Sequence, residues 1–401
     1  MMSCDPTSLT CWKITEETMI NDQTIRTTVK HVRPFAVLLA ALLLLTACFR
    51  GDSGTQGGLA ADGKVISRAR LLSMQRESGY TLVTVADPWK GGVLHRYVLV
   101  PRDSVLPDDL PEGTVVRTPV SRALVYSSVH TSLLGELGAI SAVRGVVDSQ
   151  YFIDTTIVNG VANGAIADCG NSMNPTVEKV IDMQPDAILL SPYQDASYGQ
   201  IAKLDIPIIE CADYLEYDPL GRAEWMKFYG ELVGRQAEAD SLYDAVVEAY
   251  NQVKKAAAGA DAHPTVVTEM VISGVWNVPG GQSYMARILA DAGGTYLWAD
   301  DKNTGSLALD FNQVLAVAQD ADYWFIKWTN INSLNDLQGA YDLNKEMSAF
   351  KNKHVYVCDT DKTRFFDRIP FHPDVLLREF AAIMHPELFP DFQNQMYRHI
   401  E

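Results

Sequence analysis

The sequence predicts an α/β protein of two Rossmann-like lobes joined by one long helix and preceded by an N-terminal antiparallel β embellishment. Three observations carry this. From Arg122 onward, short apolar runs alternate with helical patterns, as in a parallel sheet covered by helices. Beyond His263-Pro264 the same alternation restarts. Between the two, Ala237 to Lys255 keeps Leu242, Val246, Val247, Tyr250 and Val253 on one helical face. No short sequence repeat is present, so the duplication is architectural and a solenoid or propeller is excluded.

The first segment of the chain is of another kind. Phe35 to Cys48 is an apolar run that follows Lys30, His31 and Arg33 and closes on Leu45-Thr46-Ala47-Cys48. Its apolar stretch of about a dozen residues falls short of the roughly 20 that cross a bilayer, so residues 1–47 read as a secretory signal peptide. Met19 would start a signal of ordinary length, and Met1 to Met19 then carry no function. Small residues before a cysteine resemble a bacterial lipobox, which implies lipidation at Cys48. Residues 48–63, rich in Gly, read as a flexible tether above a membrane. Removing the leader and lipidating Cys48 leaves Cys169, Cys211 and Cys358, an odd number of thiols in an oxidising compartment. At most one internal disulfide is possible: Cys169 with Cys211 by order along the chain, or none if these are buried free thiols.

Next come Tyr80 to Asp87, Leu94 to Val100 and Thr114 to Val120, apolar or alternating runs between turn clusters, read as antiparallel strands. The first lobe, 64–233, includes them and continues through ALVYSS, a helical VHTSLLGELGAI, VRGVV, a helical NPTVEKVIDM, AILLSP and IPIIECA. Ligands of open parallel sheets sit at the carboxyl ends of the strands, here Ser127-Ser128, Asp148, Ser191-Pro192-Tyr193 and Ala212-Asp213-Tyr214. Trp225, Phe228, Tyr229, Leu232 and Val233 fall at helical spacing, and Gly234 opens the linking segment 234–260. The second lobe, 261–401, follows as TVVTEMVI, helices over Tyr284 to Ala292 and Phe311 to Ala318, DYWFIKW, HVYVCDT and a helix from Pro373.

Within this frame, Gly170-Asn171-Ser172-Met173-Asn174-Pro175-Thr176-Val177-Glu178-Lys179-Val180-Ile181 leads to Gln184-Pro185-Asp186-Ala187-Ile188-Leu189-Leu190. These stretches resemble the loop, glutamate helix and KPD-strand signature of the binding proteins that serve iron-siderophore, haem and cobalamin ABC importers. Leu133 to Ala139, Leu289 to Gly294 and Phe371-His372-Pro373 support the likeness, which covers roughly Arg122 to Pro390. The resemblance implies a monomer anchored in the periplasm, with no intrinsic cofactor. It implies a metal-complex ligand (ferric siderophore, haem or cobalamin) and an ABC permease dimer as partner. It further implies docking acids, one on each lobe: Glu178 matches the first, whereas the second position falls at Asn312, beside Asp310. An acid near a helix start is also favoured by the helix dipole, and Asn174-Pro175 reads as such a start.

A large planar ligand is held by aromatic faces with a few placed polar groups. On the first lobe the candidates are Ser128, His130, Tyr151, Ser172, Met173, Tyr193 and Tyr214. On the second they are Trp276, Gln282, Ser283, Tyr284, Trp328, Arg364, Phe365 and Phe366. His130 is a possible haem-iron ligand, with Tyr151, Tyr193 and Tyr214 as oxygen-donor alternatives. Arg364 and Arg368 suit anionic groups, and Gly280-Gly281-Gln282-Ser283 could offer backbone N–H groups to an anion. A net charge of −17 disfavours nucleic acid as a partner. Eight scattered histidines disfavour a bare-ion site. With neither a GxSxG elbow nor a Gly-rich phosphate loop, no catalytic residue is assigned. The alternatives are a surface-displayed capture lipoprotein serving an outer-membrane receptor and, ranked lower, a bare-metal-ion binding protein.

Overall fold

The computed structural model describes residues 63–360 and 362–401. The signal segment, Cys48 and the tether up to residue 62 lie outside the described residues.

Four strands open the described chain: β1 (Leu72–Glu77), β2 (Tyr80–Ala86), β3 (Val93–Pro101) and β4 (Thr114–Thr118), paired in that order. The first two pairings are antiparallel, but β3 and β4 run parallel, which corrects the all-antiparallel expectation. The chain between them is a long crossover, the connection that parallel neighbours require. β1 was not expected, although buried Leu72 and Met74 alternate with exposed Ser73 and Gln75 as in a half-buried strand. Carboxylates fasten this region to the helices behind it. Glu224 accepts from the backbone N–H groups of Ser67, Arg68 and Ala69, Glu216 from those of Arg70 and Leu71, and Glu231 from Arg76 and Thr81.

The first lobe is built on β5 (Ala123–Val125), β6 (Val143–Val146), β7 (Ala167–Asp168), β10 (Ala187–Leu190) and β11 (Ile208–Glu210). Their order is β11-β10-β5-β6-β7 and every pairing is parallel. Helices α1 (Ser128–Glu136), α2 (Thr155–Ala162) and α3 (Val177–Met183) cover it, and a tight hairpin of β8 (Gly170–Asn171) and β9 (Asn174–Pro175) follows β7. Pro175 therefore lies in the hairpin, and α3 begins two residues later than the Asn-Pro pair suggested, after Thr176.

The connector consists of α4 (Pro219–Glu224), α5 (Met226–Val233) and α6 (Gln236–Ala257). Gly234 at φ 68 closes α5 in the left-handed conformation that glycine adopts without a Cβ penalty. The 22 residues of α6 span about 33 Å at 1.5 Å per residue. Ala239, Tyr243, Val246, Tyr250, Val253 and Ala257 form its buried stripe.

The second lobe runs β12 (Thr265–Thr268), β13 (Val271–Ile272), β14 (Val275–Pro279), α7 (Tyr284–Asp291), β15 (Thr295–Tyr296) and β16 (Ser306–Leu309). It continues with α8 (Phe311–Ala318), β17 (Tyr323–Lys327), α9 (Leu334–Ala340), α10 (Ser348–Lys351) and β18 (Val355–Cys358). It ends with α11 (Phe365–Arg368), α12 (Pro373–Met384) and β19 (Tyr397–His399). Its main sheet, β15-β12-β17-β18-β19, is parallel apart from the last pair. Glu379 on α12 accepts from the backbone N–H groups of Gln395, Met396 and Tyr397, tying the C-terminal strand down. One apolar core runs from Met74 and Val125 through Phe228 and Tyr250 to Phe325 and Phe380, so the connector is packed into both lobes.

Candidate functional site

In each lobe the loops leaving the parallel strands share one sheet edge, and elements that follow such edges meet across the lobes. α1 follows β5 and packs on α11, which follows β18. Along this seam Arg364 donates to the Ser132 hydroxyl at 3.2 Å and lies 3.8 Å from Asp154. His372 meets Glu136 at 2.6 Å, and the Tyr229 and Phe371 rings cross edge to face at 5.6 Å. The seam is thus formed by elements that follow strands of two separate sheets.

On the first lobe the loop after β6 is set by Asp148, a non-glycine residue at φ 47. Its carboxylate accepts from the Asn171 side chain and the Ser172 N–H, both at 3.2 Å, which holds the β8–β9 hairpin. Ser172 is half-buried in that hairpin and Met173 is 58 % exposed at its tip. Tyr151 follows Asp148 and is 56 % exposed; Asp154, three residues on, is the contact to Arg364. After β10, Tyr193 is 44 % exposed and crosses Tyr198 edge to face. Tyr214, after β11, donates to the Pro192 carbonyl at 2.6 Å, and burial pushes its phenol up to about 12. Ser128 is half-buried at the start of α1, whose N-cap is Ser127. The exposed members of this set are apolar or aromatic, which suits a bulky ligand face.

On the second lobe Arg364 and Phe366 are exposed at the seam, while Trp328 is half-buried and packs partly on the lobe's core. Lys327 and Glu269, which the sequence reading passed over, pair at 2.8 Å where β17 and β12 end, and the Lys327 ammonium lies 5.5 Å from the Phe365 ring centre. Glu269 adopts φ 63, a conformation that a side chain favours only under constraint. A carboxylate just after a strand and a lysine at another strand's end are visible in the sequence; their pairing depends on β12 and β17 being neighbours.

Five expectations are corrected. His130 is 1 % exposed and points inward, its Nε2 3.2 Å from buried Asp213, because the α1 face it occupies packs on Tyr229. Trp276 is fully buried, stacked on Trp324 at 5.4 Å with its N–H donated to the Thr268 carbonyl. Phe365 is 5 % exposed, and Ser283 is buried as the N-cap of α7. The glycine turn offers no anion cradle: the N–H groups of Gly280, Gln282 and Ser283 donate to the Gly305, Asn303 and Gly280 carbonyls. Gln282 is exposed, and Tyr284 donates to the Ile369 carbonyl with Arg222 over its ring, a packing role at the lobe junction. Cys169, Cys211 and Cys358 are all free and buried; burial pushes the Cys169 and Cys358 thiols up to about 11.

Beneath the cleft, Asp213 accepts from His130, from the Tyr229 hydroxyl at 3.1 Å and from Arg222 at 3.4 Å. Burial opposes its ionisation, yet these hydrogen bonds and charges hold the carboxyl below its ordinary value. Glu178 is exposed in the first turn of α3 and Asn312 is exposed in the first turn of α8. Asp310 caps α8 reciprocally with Gln313, so its carboxylate is engaged by the helix. Among the described residues, no group of three or more His, Cys, Asp or Glu side chains is placed to hold a metal ion.

Comparison with known proteins adds four findings. The family model described as "Periplasmic binding protein" matches residues 130–362. An uncharacterized lipoprotein of Methanocaldococcus jannaschii is 27% identical over 332 residues, covering 76% of this chain and 77% of that one. The iron(3+)-hydroxamate-binding protein FhuD of Bacillus subtilis is 25% identical over 272 residues, covering 62% of this chain and 76% of its own. Among solved structures, the periplasmic heme-binding protein HutB of Vibrio cholerae superposes with a TM-score of 0.53 at 14% identity, over 66% of this chain and 100% of that one. At that identity the likeness is one of fold.

Proposed function

The chain belongs to the periplasmic binding protein family, and from that premise we propose that it captures an iron complex (a ferric siderophore or haem) or cobalamin between its lobes and delivers it to the permease of an ABC importer. The observation that carries this reading is that elements leaving two separate parallel sheets meet, those of one lobe carrying exposed Tyr151, Met173 and Tyr193 and those of the other exposed Phe366 and Arg364. Aromatic and thioether faces give affinity to a large rigid ligand, and a guanidinium at the rim complements peripheral carboxylates or a ferric complex's negative charge. Iron hydroxamate and haem, named for the Bacillus and Vibrio proteins, are ligands of this size class. A lipid anchor at Cys48 is consistent with the Methanocaldococcus relative being named a lipoprotein. Glu178 supplies an exposed acid for the permease on the first lobe, and Asn312 an uncharged amide on the second.

The test is an absorbance titration of the purified protein with haem, cobalamin and several ferric siderophores. The reading expects one of them to saturate at one per chain with a shifted spectrum and no turnover. If none saturates, the metal-complex assignment fails.

A further inference from the structure

The four N-terminal strands precede residues 130–362, the part of the chain that the family model matches, yet their side chains reach the strand-end loops of the first lobe. The contact is made at Glu210, which closes β11 and is 8 % exposed. His95 of β3 places its Nδ1 3.3 Å from Oε2 of this carboxylate, and the Tyr198 hydroxyl donates to Oε1 at 2.7 Å. The Glu210 backbone N–H donates to the Tyr97 hydroxyl at 2.8 Å. His95 and Tyr97, two residues apart on one face of β3, stack at 4.5 Å, and the Nε2 of His95 lies 2.8 Å from the Thr114 hydroxyl of β4. The imidazole is therefore held at both nitrogens, by β4 on one side and by Glu210 on the other.

Tyr198 belongs to the irregular loop after β10, residues 191–200. In it Asp195, Tyr198 and Gly199 adopt φ 57, 50 and 54, and a ring-bearing residue keeps that conformation only where neighbours impose it. Contacts from the N-terminal sheet supply the constraint. Lys90, at the turn between β2 and β3, pairs with Asp195 at 2.5 Å, and Tyr198 is anchored on the carboxylate that His95 faces. Both members of the first pair are exposed, so it contributes little; the second bond is partly buried and its acceptor is charged, so it dominates. Burial, with the bond to Glu210, holds the Tyr198 phenol well above its usual range, and it stays a donor. The Tyr198 ring crosses Tyr193 edge to face at 6.1 Å, and Tyr193 is one of the exposed rings that the capture function assigns to the ligand.

We propose that the N-terminal sheet braces the ligand-facing loop: His95 is a positioning residue that, through Glu210 and Tyr198, fixes residues 191–200 and with them the Tyr193 ring. Its effect on binding rests on the capture function proposed above; its hold on the loop does not. No side chain of the sheet has to touch the ligand, because ordering the loop in advance removes a cost that binding would otherwise carry.

Limited digestion with chymotrypsin follows the loop in the unliganded protein, and absorbance titration with haem, cobalamin and ferric siderophores follows binding, for the wild type, Tyr198→Phe, His95→Ala and His95→Asn. Chymotrypsin cleaves after Phe as after Tyr, so Tyr198→Phe removes the hydroxyl and keeps the cleavage site. Cleavage after residues 193 and 198, taken relative to cleavage elsewhere in the chain, separates local release from a general loss of stability. The expected result is loop cleavage about tenfold faster in Tyr198→Phe and His95→Ala, the scale of one lost hydrogen bond to a carboxylate. His95→Asn, whose amide nitrogen takes the place of Nδ1, should restore most of the protection. For the complex that titrates the wild type, affinity should fall roughly fivefold in the first two variants and recover in the third. Loop cleavage unchanged in both Tyr198→Phe and His95→Ala overturns the proposal. So does faster cleavage accompanied by wild-type affinity. A wild type that binds none of the complexes defeats the capture function instead, and the digestion alone then decides whether the sheet is a brace.

Discussion

Burying Asp213 sacrifices its hydration, and His130, Tyr229 and Arg222 restore part of that loss through three contacts to the two carboxylate oxygens. Asp213→Ala leaves those donors without an acceptor and should cost about 3 kcal/mol in urea denaturation at neutral pH. Because the folded-state pKa is depressed below the ordinary 3.8, the stabilisation is present above that value and lost as pH falls through the folded value. The gap between wild type and variant should therefore shrink once the pH drops below 3.8. A second residue-level contrast separates packing from binding. Trp276→Ala should lower stability by about 4 kcal/mol because it empties a stacked, fully buried site. Tyr193→Ala should leave stability within about 0.5 kcal/mol and weaken ligand binding by about tenfold, since its ring is exposed at the cleft edge. From sequence these two aromatics look alike. Trp276 and Tyr193 both follow apolar runs, and only the pairing of β14 with β13 and β16 turns the tryptophan inward. His130 misled for the same reason: a helix start near the opening was correctly read, but which face of α1 meets the connector is fixed by contacts far along the chain.

At the scale of elements, strands and helices with a strong period were legible, and their partners were not. The helix over Phe311–Ala318 and the strands AILL and VYVC carry their burial in their composition. Short strands such as β7 and β15, two residues each, have no period to read and exist through their neighbours. The parallel pairing of β3 with β4 is likewise a property of the crossover path rather than of either strand. The acids that fasten the N-terminal segment, Glu216 and Glu224, carry no local mark in the sequence, because their backbone partners lie over a hundred residues upstream. Glu178 is different, since its neighbours in sequence carry its meaning and it is exposed on α3. Reversing its charge in Glu178→Arg should impair uptake in cells while leaving ligand affinity in vitro unchanged, because the docking role assigns its carboxylate to the permease and not to the ligand. A variant that binds ligand poorly would contradict the docking role.

Over the whole molecule, the continuous core matters most. α6 packs against α5 on one side and α12 on the other, and Tyr250 and Lys254 both reach Asp291 of α7, at 2.8 Å each. A helix seated in this way resists bending, so the lobes should rock slightly and not close like jaws. Small-angle scattering should then show the radius of gyration changing by less than about 1 Å on ligand binding, the scale of preorganised recognition. The central claim is that a ligand lies between the two strand-end edges, and hydrogen exchange of the protein, free and saturated with the complex that titrates, tests it most directly. The account predicts slowed exchange in both lobes at once, in residues 148–154, 171–173 and 192–198 of the first and 327–329 and 363–368 of the second. Protection confined to one lobe, or appearing at the far side of the linking helix near residues 388–392, would contradict it.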